Sequence, residues 1–163
     1  MNQVTVLRGS VVHADTDAIV NAANPDLWEG GGVCGAIFAA AGREELFAAC
    51  ANIGRCPTGC AVMTPGFHCK AKYIIHAVGP VYTGRDEDAY LLASAYRACL
   101  DRAEEFGLSS VGFCSISTGI YGYPLEEAAA IAMQTLRDYP ANSVTDIRMY
   151  CFQEQEYQVY SCL

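Results

Sequence analysis

With 163 residues, 17% of them charged and 52% hydrophobic, the chain is long enough for one domain, 1–163, with a proper core, and too apolar to be disordered. A net charge of −8 argues against a broad basic surface, so no direct nucleic-acid partner is expected; backbone N–H groups could still hold a phosphorylated small molecule. No apolar run reaches the length of a membrane span, and the opening MNQVTVLRGS has no basic stretch followed by an apolar one, which predicts a cytoplasmic protein off the membrane.

A first strand begins with Val4, Val6 and Leu7 and closes at Arg8, Gly9 and Ser10; Val11 and Val12 follow, then a polar turn over 13–17. Residues 18–22, a continuous apolar run, read as a strand inside a sheet covered on both faces. Helices are expected over 33–41 and 43–51, with Gly42 as a stop between them. After a turn at 56–59, strands follow over 60–67 and, more clearly, over 73–78. Helical spacing of Leu91, Leu92, Ala95, Cys99, Leu100 and Ala103 marks a helix over 86–106 capped by Gly107. A strand over 110–116, a helix over 125–139, a strand over 147–152 and a short helix over 154–160 complete the order. Alternation of strands and helices from Asp17 onward predicts a largely parallel sheet with helices on both faces.

Nine cysteines are many for this length. They are read as mostly reduced thiols, several filling core positions as small hydrophobes. Cys56, Cys60, His68 and Cys69 lie close in sequence, but C-x3-C followed by an adjacent His-Cys pair does not match a zinc finger or ribbon. No metal and no cofactor is expected.

Two glycine loops carry the chemistry. The first follows the 18–22 strand and contains Asn24 and the run Gly30, Gly31, Gly32 before a helix; the second, Ser117-Thr118-Gly119-Ile120-Tyr121-Gly122-Tyr123-Pro124, follows the 110–116 strand. In a parallel sheet both fall at the carboxyl ends of strands, where ligands sit. A glycine loop opening a helix presents N–H groups suited to an anion, and Asn24 is suited to a sugar hydroxyl. Taken alone, a GGG run is equally compatible with a tight turn, Tyr121 and Tyr123 with turn aromatics, and Phe152 with the core. Asn21 reads as a structural hydrogen-bonding residue.

The blocks DAIVNAANPDLWEGGGVCGAIFAAAG, CPTGCAVMTPGF, AKYIIHAVGPVY and SISTGIYGYPLEEAA together resemble the consecutive signatures of a macro domain, closest in look to the MacroD-type branch. The resemblance implies a three-layer α/β/α fold with a mixed, largely parallel sheet, and binding of ADP-ribose, its derivatives or ADP-ribosylated proteins. It also implies hydrolysis of mono-ADP-ribosyl esters or O-acetyl-ADP-ribose, the deacetylase activity of some members; other members only bind. Carried over by residue, Asn24 would hold the distal ribose and help place water. Gly30, Gly31, Gly32 and Val33 would lie beside that ribose and the diphosphate. Ser117, Thr118, Gly119, Ile120 and Tyr121 would form the second phosphate loop. Phe152 would pack on adenine, and Ser10, Val11 and Ala22 would also be among the ligand-binding residues.

Two positions depart from the pattern. Ser10 stands where an aspartate usually accepts from the adenine amino group. Cys34 stands where the branch usually has the aspartate credited with orienting or activating water. That leaves Cys34 as part of a weaker hydrolase relying on Asn24 and the substrate's phosphate, as a mark of a non-catalytic reader, as a thiolate with chemistry of its own, or as a packing residue.

Overall fold

The computed structural model describes all 163 residues. Six strands form one sheet: β1 (Val4–Arg8), β2 (Ala18–Ala22), β3 (Ala61–Pro65), β4 (Tyr73–Ala77), β5 (Ser110–Phe113) and β6 (Asp146–Cys151). Five helices surround it: α1 (Gly32–Ala41), α2 (Arg43–Ile53), α3 (Glu87–Glu105), α4 (Leu125–Asp138) and α5 (Glu154–Ser161). The strand order is β1-β6-β5-β2-β4-β3, and every pairing is parallel except β3 with β4.

Strict alternation of strand and helix therefore fails at one place. Only a short turn joins β3 to β4, and a parallel crossover needs a dozen residues or more, so β3 returns antiparallel at the sheet edge. Pro65, which cannot donate to a ladder, ends that edge strand. Other differences are local. Val11–His13 forms a single 3-10 turn because the Ser10 hydroxyl caps it, accepting from Val12 N at 3.3 Å. The strand expected over 110–116 leaves the ladder after Phe113, since Ile116 N–H goes to the Tyr96 hydroxyl at 2.9 Å and Ser117 turns left-handed.

Two apolar layers hold the sheet. On one face α1 and α2 close over 16 buried residues, among them Ile19, Ile37, Phe38, Leu46 and Ile74. On the other, α3, α4 and α5 close over 25, including Val20, Ile75, Tyr96, Leu100, Phe113 and Tyr160. The alternation of Ile74 and Ile75 between the two clusters follows from the two-residue period of a strand. Each such side chain, wholly buried, contributes roughly 1.5–3 kcal/mol. The core is thus a sheet sandwiched between helices, with the carboxyl ends of β1, β6, β5, β2 and β4 opening on one edge. No helix is long and apolar enough to cross a membrane.

Candidate functional site

Four of these strand ends carry the expected residues. Phe152 is the first residue after β6, the 117–121 loop follows β5, the Asn24–Gly31 stretch follows β2, and Ser10 follows β1. Because the four strands are neighbours and parallel, their following loops face one another across the sheet edge. Phe152 is 70% exposed, so its ring is free to stack on a flat group rather than sitting in the core. Ile120 is fully exposed, Tyr121 half-buried, Val11 buried and Ala22 half-buried at the end of β2.

The first loop begins with a turn at Asn24. Its carbonyl accepts from Leu27 N at 3.0 Å, and Leu27 takes a left-handed φ of 60° while burying its side chain. The strain of that conformation, about 1–2 kcal/mol, is offset by burial of the leucine. The Asn24 amide closes on the Trp28 backbone, Oδ1 accepting from Trp28 N at 3.1 Å and Nδ2 donating to Trp28 O at 2.9 Å. Glu29 is tied to Arg43 at the start of α2, 3.0 Å away. Gly31 caps α1 without any side-chain bond, and Gly32 enters it at φ 58° with open space where a Cβ would stand. The first turn of α1 thus begins with no side-chain cap on its N–H groups, an arrangement that favours an anion.

The second loop is supported from below. Thr118 donates to Ser115 Oγ at 2.9 Å, Ser115 bonds the Tyr160 hydroxyl at 2.8 Å, and Tyr82 N donates to Tyr121 O at 2.9 Å. Ser117, at φ 70°, presses on Gly79: a Cβ there would lie 2.2 Å from Ser117 Oγ. Burial pushes the Tyr121 hydroxyl pKa up, and the Cys34 thiol adds to the push.

Cys34 sits in the first turn of α1, 5% exposed. Its sulfur accepts from Gly30 N at 3.3 Å and Asn21 Nδ2 at 3.7 Å, and its S–H reaches Trp28 O at 3.8 Å. Asn21 Nδ2 also lies 3.0 Å from His76 Nδ1, and His76 Nε2 lies 3.0 Å from Thr64 Oγ1. The Thr64 hydroxyl spends its proton on Pro65 O at 3.1 Å, so the ring carries its hydrogen on Nε2 and accepts at Nδ1. Burial pushes the His76 pKa down to about 4, which keeps that imidazole neutral. Two buried side-chain atoms have no hydrogen-bond partner, Asn21 Oδ1 and Ser117 Oγ, and both lie at this edge.

Periodicity missed Gly35, Gly79, Leu27 and His76. A Cβ on Gly35 would come within 2.9 Å of Gly30 O, a demand set by how α1 folds back on its own loop. The cysteine-rich stretch does not converge: His68 pairs with Glu45 at 2.6 Å, Cys56 donates to Pro57 O at 3.8 Å, and no group of three His, Cys, Asp or Glu side chains lies close enough to hold a metal ion. All nine cysteines are unpaired, and burial pushes Cys50 and Cys56 up to about 11 and Cys114 and Cys151 up to about 12.

Residues 20–132 match the family described as Macro domain. A macro domain-containing protein of Caldanaerobacter subterraneus is 46% identical over 98% of this chain and 94% of its own length. A protein of Cronobacter turicensis named O-acetyl-ADP-ribose deacetylase is 44% identical over 99% of this chain and 95% of its own. An Oceanobacillus iheyensis macrodomain variant, solved with ADPR, superposes with a TM-score of 0.89 at 39% identity over 96% of this chain and 88% of its own. The chain belongs to the macro domain family, with the three-layer α/β/α architecture and mixed, mostly parallel sheet of its solved members.

Proposed function

We propose that the protein binds ADP-ribose along this sheet edge and hydrolyses mono-ADP-ribosyl esters on proteins, O-acetyl-ADP-ribose, or both. The observation that carries the reading is the convergence of the uncapped start of α1 and the 117–121 loop on one edge, with Asn24 between β2 and the glycines. Adenine stacks on Phe152 near Ser10, Val11 and Ala22. The diphosphate lies between Gly30, Gly31, Gly32 and Val33 on one side and Ser117, Thr118, Gly119, Ile120 and Tyr121 on the other, neutralised by N–H donors rather than by cationic side chains. Asn24 exchanges a bond to Trp28 for a hydroxyl of the distal ribose and places a water beside the ester. Hydrolysis adds that water across the ester, releasing ADP-ribose and the free carboxylate. The ADPR-bound relative and the relative named as a deacetylase support this reading.

A second reading, a reader of ADP-ribosylated proteins that performs no chemistry, is favoured by Cys34: its sulfur is nearly buried and already occupied by backbone and amide partners. The deciding experiment incubates a protein mono-ADP-ribosylated on Glu or Asp with near-stoichiometric enzyme, with Asn24→Ala as control and ADP-ribose titration alongside. Release that disappears in the variant supports the hydrolase. Binding without release supports the reader. Absence of binding to ADP-ribose rejects both.

A further inference from the structure

Cys34, which departs from the family pattern, has partners on both sides of the first loop. Cys34 is at once acceptor and donor: it takes N–H groups from Gly30 and Asn21 and gives its own hydrogen to the Trp28 carbonyl. That carbonyl is the one that Asn24 Nδ2 holds at 2.9 Å. Gly30 is consequently gripped twice, its N–H by the sulfur and its carbonyl by close packing on Gly35. Behind the sulfur, Asn21 cannot turn away freely, because it is fully buried and its Nδ2 also serves His76 Nδ1. A carboxylate at position 34 could accept from Gly30 and Asn21 but could not donate to Trp28; an alanine could do neither.

We infer that Cys34 is a positioning residue, linking the two halves of the first loop, Asn24–Trp28 and Gly30–Gly32, so that they meet the distal-ribose end of the ligand in one fixed geometry. It acts through Gly30 and the Trp28 carbonyl and is not the acid, base or nucleophile. The inference rests on the ADP-ribose reading above and adds to it which residue sets the ribose end. Phe152 and the glycine loop follow strands two places apart, roughly 10 Å across the sheet, so a ligand with adenine but no distal ribose reaches the loop with its single phosphate at most and depends on it less than ADP-ribose does.

The test compares ADP-ribose and AMP binding by calorimetry in the unmodified protein, Cys34→Ala and Cys34→Ser, with amide hydrogen exchange at Gly30 and thermal unfolding measured on each. Cys34→Ala is expected to weaken ADP-ribose about tenfold, to leave AMP within about twofold, and to speed Gly30 exchange. Cys34→Ser, whose hydroxyl also donates and accepts, is expected to restore ADP-ribose binding to within about threefold of the unmodified protein. Equal losses for both ligands, or no change for either, overturn the inference, as does failure of serine to rescue in a variant that still folds. If the unmodified protein binds AMP but gains nothing from the ribose extension, the ADP-ribose reading itself fails and takes the inference with it.

Discussion

Lowering the pH from 7.5 to 5 should reveal the buried imidazole of His76. In the unfolded chain a histidine titrates near 6.5; in the fold, burial pushes His76 down to about 4, because its ring lies between β2 and β3 with both nitrogens committed to neutral partners. The folded pKa is the lower one, so as pH falls below 6.5 the unfolded chain takes up a proton that the native state refuses. Stability is intact above about 6.5, declines between 6.5 and 4, and levels off below. The full effect is about 2.5 pKa units, or about 3 kcal/mol, of which about 2 kcal/mol is already lost at pH 5. Urea unfolding at pH 7.5, 6 and 5 measures it, with His76→Gln as the comparison. The variant should start lower at pH 7.5, by roughly 1–3 kcal/mol, since the Asn21 donor loses its acceptor. Its decline with acid should be shallower by about 2 kcal/mol. Parallel curves for the two proteins would refute the assignment of a neutral, buried His76. Native carboxylates held low, such as Glu104 at about 2, begin to lose their contribution as pH falls through the unfolded value of 4.5, below the three pH values measured.

Gly35→Ala sets helix propensity against sterics. Alanine favours the helix by about 1 kcal/mol, but its Cβ would sit 2.9 Å from the Gly30 carbonyl, and overpacking against backbone costs about 1–3 kcal/mol. Net loss of stability by thermal unfolding, together with weaker ADP-ribose binding, is expected; a more stable variant that binds normally would show that the loop yields freely. Ser10→Asp keeps a good cap for the 3-10 turn and adds a charged acceptor beside the proposed adenine end. Charge-assisted bonds are about twice as strong as neutral ones, so binding should tighten by roughly fivefold. No tightening in a titration would mean that position 10 does not face the adenine amino group.

Much of this architecture is legible in local residue chemistry. The apolar run of β2, the proline and glycine punctuation, and the spacing of Leu92, Ala95, Cys99 and Ala103 each commit a segment to strand, turn or helix on their own. The glycine loops and Asn24 likewise point to a candidate ligand edge through residue types that relax the backbone or offer an amide. What stayed hidden depended on partners distant in the chain. β3 became antiparallel because its connection to β4 is too short for a crossover, and the 110–116 strand ended early because a tyrosine from α3 captured its amide. His76 looks like one more polar residue in YIIHAV until β2 and β3 flank it, and Gly35 looks like a helix defect until the Gly30 carbonyl lies against it. Local preference settles which elements form and where glycine loops fall. The role of Cys34 belongs to tertiary structure, because a thiol's function is decided by the donors and acceptors around it, and those come from Asn21, Gly30 and Trp28, brought together only when the loop closes over the sheet.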